Sequence, residues 1–113
     1  MLTVEKLQAF GADVAQGLSR CANNEALYLR LVGLCVEELK ADALGDALRA
    51  HDWDRAFEAA HKLKGGVSNL ALDPLSAPVC ELTERLRHKT PGDYDELYSE
   101  IKKQADTLAA LLD

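Results

Sequence analysis

A chain of 113 residues is long enough to bury one core and too short for two, so a single domain over residues 1–113 is expected. Hydrophobic residues at 48% and charged residues at 28% exclude a disordered or membrane-spanning class. The formal net charge of -6, with 13 Lys and Arg dispersed along the chain, lacks the basic face that counterion release requires and argues against nucleic acid as a partner.

No five-residue window is both β-branched and alternating, whereas every long segment follows a 3.6-residue period, so the expected class is all-α. At the N-terminus, MLTVEKLQAF sets Glu5 and Lys6 where a signal peptide needs an apolar run. Thr3 can cap a short helix ending near Gly11, and a second short piece runs from about Asp13 towards Arg20. Asn23 or Asn24 can cap a longer helix, whose residues Leu27, Tyr28, Leu31, Val32, Cys35, Val36 and Leu39 cover a broad apolar arc. That stretch, LYLRLVGLCVEEL, is the most apolar in the chain, but Arg30 and Glu37 break it, so no membrane segment and a cytoplasmic location are expected. Residues 41–50, with Ala43, Leu44, Ala47 and Leu48, either continue this helix or follow a kink.

Asp52 is a good N-cap for the next helix, in which Trp53, Ala56, Phe57, Ala60, Leu63, Val67 and Leu70 follow i, i+3, i+4 and i+7 steps. Asp73 caps a further helix with Pro74 at its first position and Leu75, Val79, Leu82 and Leu86 on one face. Pro78 either kinks that helix or delays its start to Ser76. Pro91-Gly92 marks the last break, and Asp93 with Glu96 resembles a capping box ahead of Tyr94, Leu97, Tyr98, Ile101, Ala105, Leu108 and Leu112. Four long amphipathic helices with short connections pack most economically as an antiparallel, up-and-down four-helix bundle, the short N-terminal helices capping one end. A chain that opens at Met1 and closes its last helix near Leu112 is expected to be complete.

Cys21, Cys35 and Cys80 are odd in number and far apart, which suits neither a disulfide framework nor a metal site, and Cys35 and Cys80 are expected to be small core residues. His51 and His88 add no paired metal-ligand spacing, so no metal is expected.

Two adjacent glycines, Gly65 and Gly66, interrupt the most regular helix and give away roughly 2 kcal/mol of helix propensity. On a wheel with Trp53 at zero the apolar stripe centres near about 310°, whereas His61 falls near about 80°, Gly65 near about 120° and Ser68 near about 60°. His61, Gly65 and Ser68 therefore share a strip facing away from the core, and a glycine one turn beyond the imidazole clears space for a bulky partner to reach a ring nitrogen. Glycines in helices also mark close packing between helices, and that alternative stays open at this point. Lys62 and Lys64 place positive charge near the imidazole, which suits an incoming anion, unless they merely form a solvated face paired with Glu58.

The run LRAHDWDRAFEAAHKLKGGVSNLALDPLS, residues 48–76, resembles the histidine-containing phosphotransfer (HPt) domain family, whose hallmark is A-H-x-L-K-G followed by small residues. Ala60-His61, Leu63-Lys64-Gly65 and Asn69-Leu70 fit this motif, while Ser68 and Ala71 stand where glycine is frequent in the family. Both substitutes are small and keep the surface open.

The resemblance implies a phosphorelay intermediate that carries a phosphoryl group between receiver-domain aspartates and binds no ATP, so it is not an enzyme in its own right. The sequence agrees in having neither a P-loop nor a kinase-type glycine-rich loop. His61 would be the phospho-acceptor, and Lys64 would stabilise the transferring oxygens. Gly65 would give clearance, Ser68, Asn69 and Lys62 would lie around the docking surface, and Glu58 would accept the Nδ1 proton. No cofactor is expected on this chain, because the family's magnesium is held by the receiver. The partners implied are response-regulator receiver domains and hybrid histidine kinases, met by a monomer. Two other readings are a receiver-binding adaptor without catalysis and a phosphate-accepting domain detached from a chemotaxis-type kinase. An enzyme with its own small-molecule pocket is disfavoured, since no nucleophile and base converge in the sequence.

Overall fold

Thr3 accepts a hydrogen bond from the Lys6 amide at 3.1 Å and opens the first of the helices in the computed structural model, which describes residues 1–89, 92 and 94–113. In chain order the helices are α1 (Val4–Phe10), α2 (Val14–Arg20), α3 (Glu25–Ala41), α4 (Ala43–Arg49), α5 (Trp53–Asn69), α6 (Asp73–Arg87) and α7 (Asp95–Ala110). No strand occurs among the described residues. The expected break at Pro91 and the Asp93 cap lie outside them.

Side-chain caps set most of the starts. Asp13 accepts from the Gln16 amide at 3.2 Å, Asn24 from Leu27 at 3.1 Å and Asp52 from Arg55 at 3.2 Å, each satisfying an amide that the helix itself leaves open. Asn24, and not Asn23, is thus the cap of α3. Asp73 is not a cap: Leu72 holds that position, and Asp73 is the first helical residue, with Pro74 after it. There its carboxylate still faces the positive end of the helix. The helix passes through Pro78 and does not wait for Ser76. Residues 41–50 do not continue α3, because Asp42 takes a left-handed conformation, φ 55 and ψ 45, that stops one helix and starts the next. Its carboxylate accepts from the Gly45 amide at 3.1 Å and from the Tyr98 hydroxyl. Aspartate tolerates this backbone because its short polar side chain can bond locally.

The core gathers Tyr28, Val32, Cys35, Val36 and Leu39 from α3, Ala56, Ala60, Leu63 and Val67 from α5, Leu75, Val79, Leu82 and Leu86 from α6, and Ile101, Ala105 and Leu108 from α7. Two residues expected in apolar stripes are left at the surface: Leu27 is 37% exposed and Trp53 43%. Trp53, in the first turn of α5, stacks on the His51 ring at 5.2 Å and meets the Tyr94 ring edge-on at 5.4 Å. Cys80 is only half-buried, Cys21 is buried in its place alongside Cys35, and all three thiols are free.

The Tyr28 hydroxyl, at the start of α3, donates to the Leu70 carbonyl just past α5 at 3.0 Å. Lys6 of α1 reaches the Leu111 carbonyl after α7 at 3.3 Å, and the Asp13 amide donates to the Ala71 carbonyl at 2.9 Å. The start of α3 and the ends of α5 and α7 therefore meet where α1 and α2 lie, while the Tyr98 bond to Asp42 joins the opposite ends of α3 and α7. These contacts fit an alternating chain direction through α3, α5, α6 and α7.

Gly17 allows α2 to close on this end, because a Cβ there would overlap the ring of Tyr28, which is 0% exposed and anchored by its hydroxyl. Gly17→Ala is expected to destabilise the protein by about 1–3 kcal/mol, as overpacking does in a filled core. Urea unfolding of the two proteins checks this, and an unchanged midpoint would show that α2 does not clamp Tyr28 in solution.

Candidate functional site

His61 stands in the outer face of α5, exposed, between the buried Ala60 and Leu63 that fix this helix in the core. The helix beneath the ring is therefore anchored in the core while the ring itself is accessible. Its neighbour one turn back is Phe57, with ring centroids 5.7 Å apart and planes tilted by 41°. Over the Phe57 ring lies the Arg87 guanidinium of α6, 5.1 Å from the centroid, in cation–π range. The Phe57 ring thus neighbours both the imidazole and a cation that belongs to another helix.

One turn forward the surface is open. Apart from the backbone of α5 itself and the adjoining residues, a Cβ on Gly65 would meet no atom within 4 Å, so this glycine is not required by packing against another helix. On Gly66 it would meet the Cys35 sulfur at 4.0 Å, an ordinary contact. Burial, and then the nearby Glu38 charge, pushes the Cys35 thiol up to about 11, so at neutral pH an un-ionised, apolar group backs Gly66. Of the two origins left open by the sequence, close packing between helices does not account for Gly65.

The two lysines separate. Lys62 points to α3, where its Nζ is 3.9 Å from Glu38 Oε1, and Lys64 points to α6, where its Nζ is 3.7 Å from Glu84 Oε1. Neither pairs with Glu58, and they do not form a local cationic pair. Their wheel positions, about 160° apart, account for this. Glu58 is exposed, and among the described residues no hydrogen bond joins it to His61. Ser68 is half-buried, and its carbonyl accepts the Arg20 guanidinium of α2. Asn69, exposed, is the last residue of α5.

Glu84 is the hub that sequence reading passed over. Besides Lys64 it faces Arg87, whose Nε is 3.3 Å from Oε1, and His88, whose Nε2 is 3.6 Å from Oε2. Partial desolvation raises its pKa, but Arg87, Lys64 and His88 together outweigh this and hold the carboxyl below its ordinary value. Spacing within α6 pairs Glu84 with Arg87 and His88, but its link to Lys64 depends on the register of the α5–α6 hairpin. Helical side chains lean towards their own N-terminus. In an antiparallel pair Lys64 and Glu84 therefore lean along the hairpin towards one another.

Among the described residues no group of three or more His, Cys, Asp or Glu could hold a metal, and no helix is long and apolar enough to cross a membrane. No curated protein and no solved structure matches the chain. The family model described as the Hpt domain matches residues 29–111, from within α3 to the residue just after α7, leaving α1 and α2 outside it. Members of that family are phosphocarriers without kinase activity that work with receiver domains and kinases in phosphorelays. Since the match covers most of the helical body and the whole of α5 with its exposed histidine, the chain belongs to the Hpt domain family and has a phosphotransfer role in two-component signalling.

Proposed function

We propose that this chain is a monomeric, single-domain cytoplasmic carrier that holds a phosphoryl group on His61 and moves it between the aspartates of response-regulator receiver domains, fed by hybrid histidine kinases. The observation that carries this reading is the exposed His61 ring on a helix whose inner face is buried, with the open surface of Gly65 one turn away. His61 Nε2 attacks the phosphorus of an aspartyl phosphate in line with the bond that breaks. The transition state is loose, and its charge lies on the peripheral oxygens. Lys64 is close enough along α5 to meet those oxygens, and its pair with Glu84, 35% and 47% exposed, is of the weak surface kind that yields to a stronger anion. Gly65 keeps the approach clear, while Lys62, Ser68, Asn69 and Glu58 surround the surface on which the receiver rests. Magnesium and the acidic pocket come from the receiver.

The test is to mix the purified protein with phosphorylated receivers and map the labelled residue. Label on His61 supports the carrier. Stable binding without transfer would replace it by a docking adaptor, and label on another residue would overturn the site.

Lys64→Ala is expected to slow transfer roughly tenfold or more while changing receiver affinity little, because a cation aimed at the phosphoryl oxygens acts mainly in the transition state. Rapid-quench kinetics over a range of receiver concentrations separates the two, and equal losses would make Lys64 a docking residue.

A further inference from the structure

We infer that Glu84 is a positioning residue that sets how strongly Lys64 supports a phosphoryl group on His61, and so sets the balance of phosphate between this chain and its receiver. This rests on His61 being the acceptor. Glu84 lies on α6, outside the motif that carries the histidine, yet its Oε1 is 3.7 Å from Lys64 Nζ and 3.3 Å from Arg87 Nε. Arg87 in turn covers Phe57, the ring that contacts His61. One carboxylate therefore pairs with a cation from each helix of the α5–α6 hairpin, Lys64 one turn along α5 from His61 and Arg87 on α6.

When the phosphoryl group arrives, the Nε2–P bond forms as the P–O bond of the aspartyl phosphate breaks, and the bonding pair leaves on the receiver's carboxylate. The ring keeps its Nδ1 proton. The transferred group brings negative oxygens into the neighbourhood of Lys64, and Glu84 competes with them for the same ammonium. A strong competitor favours return of the phosphoryl group to aspartate, and a weak one favours its retention on histidine. An exposed pair is weak enough to exchange partners without a large barrier. Glu84 thus acts as a counterweight that leaves Lys64 available for the transition state while preventing over-stabilisation of the phosphorylated carrier.

The experiment is the equilibrium distribution of label between the full chain and one purified receiver, reached from both directions, for wild type, Glu84→Gln, Lys64→Met and the double variant. Glu84→Gln is expected to shift label towards His61 about two- to fivefold, the scale of an exposed ion pair. In the Lys64→Met background that shift should fall to less than half, and Glu84→Asp should restore part of the wild-type balance. A distribution unchanged by Glu84→Gln would overturn the role, as would an equal shift with and without Lys64, which would indicate general surface charge. Failure of wild-type His61 to take label would overturn the acceptor reading as well, whereas label on His61 with an unmoved balance removes only Glu84's part.

Discussion

His61→Gln should abolish uptake of acid-labile, alkali-stable phosphate from a phosphorylated receiver and leave the helical fold intact. The loss is complete because glutamine has no nucleophilic nitrogen lone pair at the position of Nε2 and no second side chain replaces it. The ring is exposed and packs only against the partly covered ring of Phe57 among the described aromatic residues, so stability should change by no more than about 0.5 kcal/mol, as at ordinary surface positions. The other histidines are poor substitutes on geometry. His51 is stacked on Trp53 in the turn before α5, and His88 ends α6 beside Glu84. Label retained on either of them in the variant would contradict the assignment. Phosphoamino-acid stability to acid and base, peptide mapping and circular dichroism on the same samples decide it.

Gly65→Leu should raise stability and sharply reduce transfer. In the helix interior a leucine recovers up to about 1 kcal/mol of propensity relative to glycine. Apart from the backbone of α5 itself and the adjoining residues, nothing lies within 4 Å of the first carbon it would add, so the side chain starts into open space. The same side chain, one turn from His61 on the outer face, would stand in the path of a receiver carrying its aspartyl phosphate. Transfer is expected to fall by roughly a hundredfold, the effect of a misplaced approach of about 1 Å. Gly65→Ala should recover most of the propensity and lose less of the rate. Thermal unfolding and receiver-dependent labelling on both variants provide the check. A destabilised leucine variant would mean that another helix does approach Gly65, and unimpaired transfer would mean that the receiver does not pass over it.

Much of the fold was legible because helix starts and apolar faces are local properties. Asp52, Asn24 and Thr3 each carry a side chain that can reach an amide three residues on, and the α5 and α6 stripes repeat at the helical period. Where local signals are balanced, tertiary contacts decided. Asp42 could equally have sat inside a long helix, and its hydrogen bond with Tyr98, distant in sequence, accompanies the left-handed turn. Trp53 fits the stripe of α5 but lies in its first turn, packed on His51 and Tyr94 and not inside the core. The outward setting of His61 and Gly65 could be read from a wheel. The destination of Lys64 could not, because a flexible side chain chooses among neighbours that only the packed hairpin supplies.

The position of Trp53 also decides what light can report about this protein. It is the only tryptophan in the chain, and at 43% exposure it already samples water in the native state. Its emission should therefore respond weakly to melting of the core, which holds no indole, and more strongly to changes in its contacts with His51 and Tyr94. Two turns separate it from His61 along the same helix, so an arriving receiver that reaches past Phe57 would alter the indole's surroundings before any chemistry occurs. Intrinsic fluorescence is thus suited to timing encounter with a partner lacking tryptophan, whereas unfolding is better followed through backbone ellipticity.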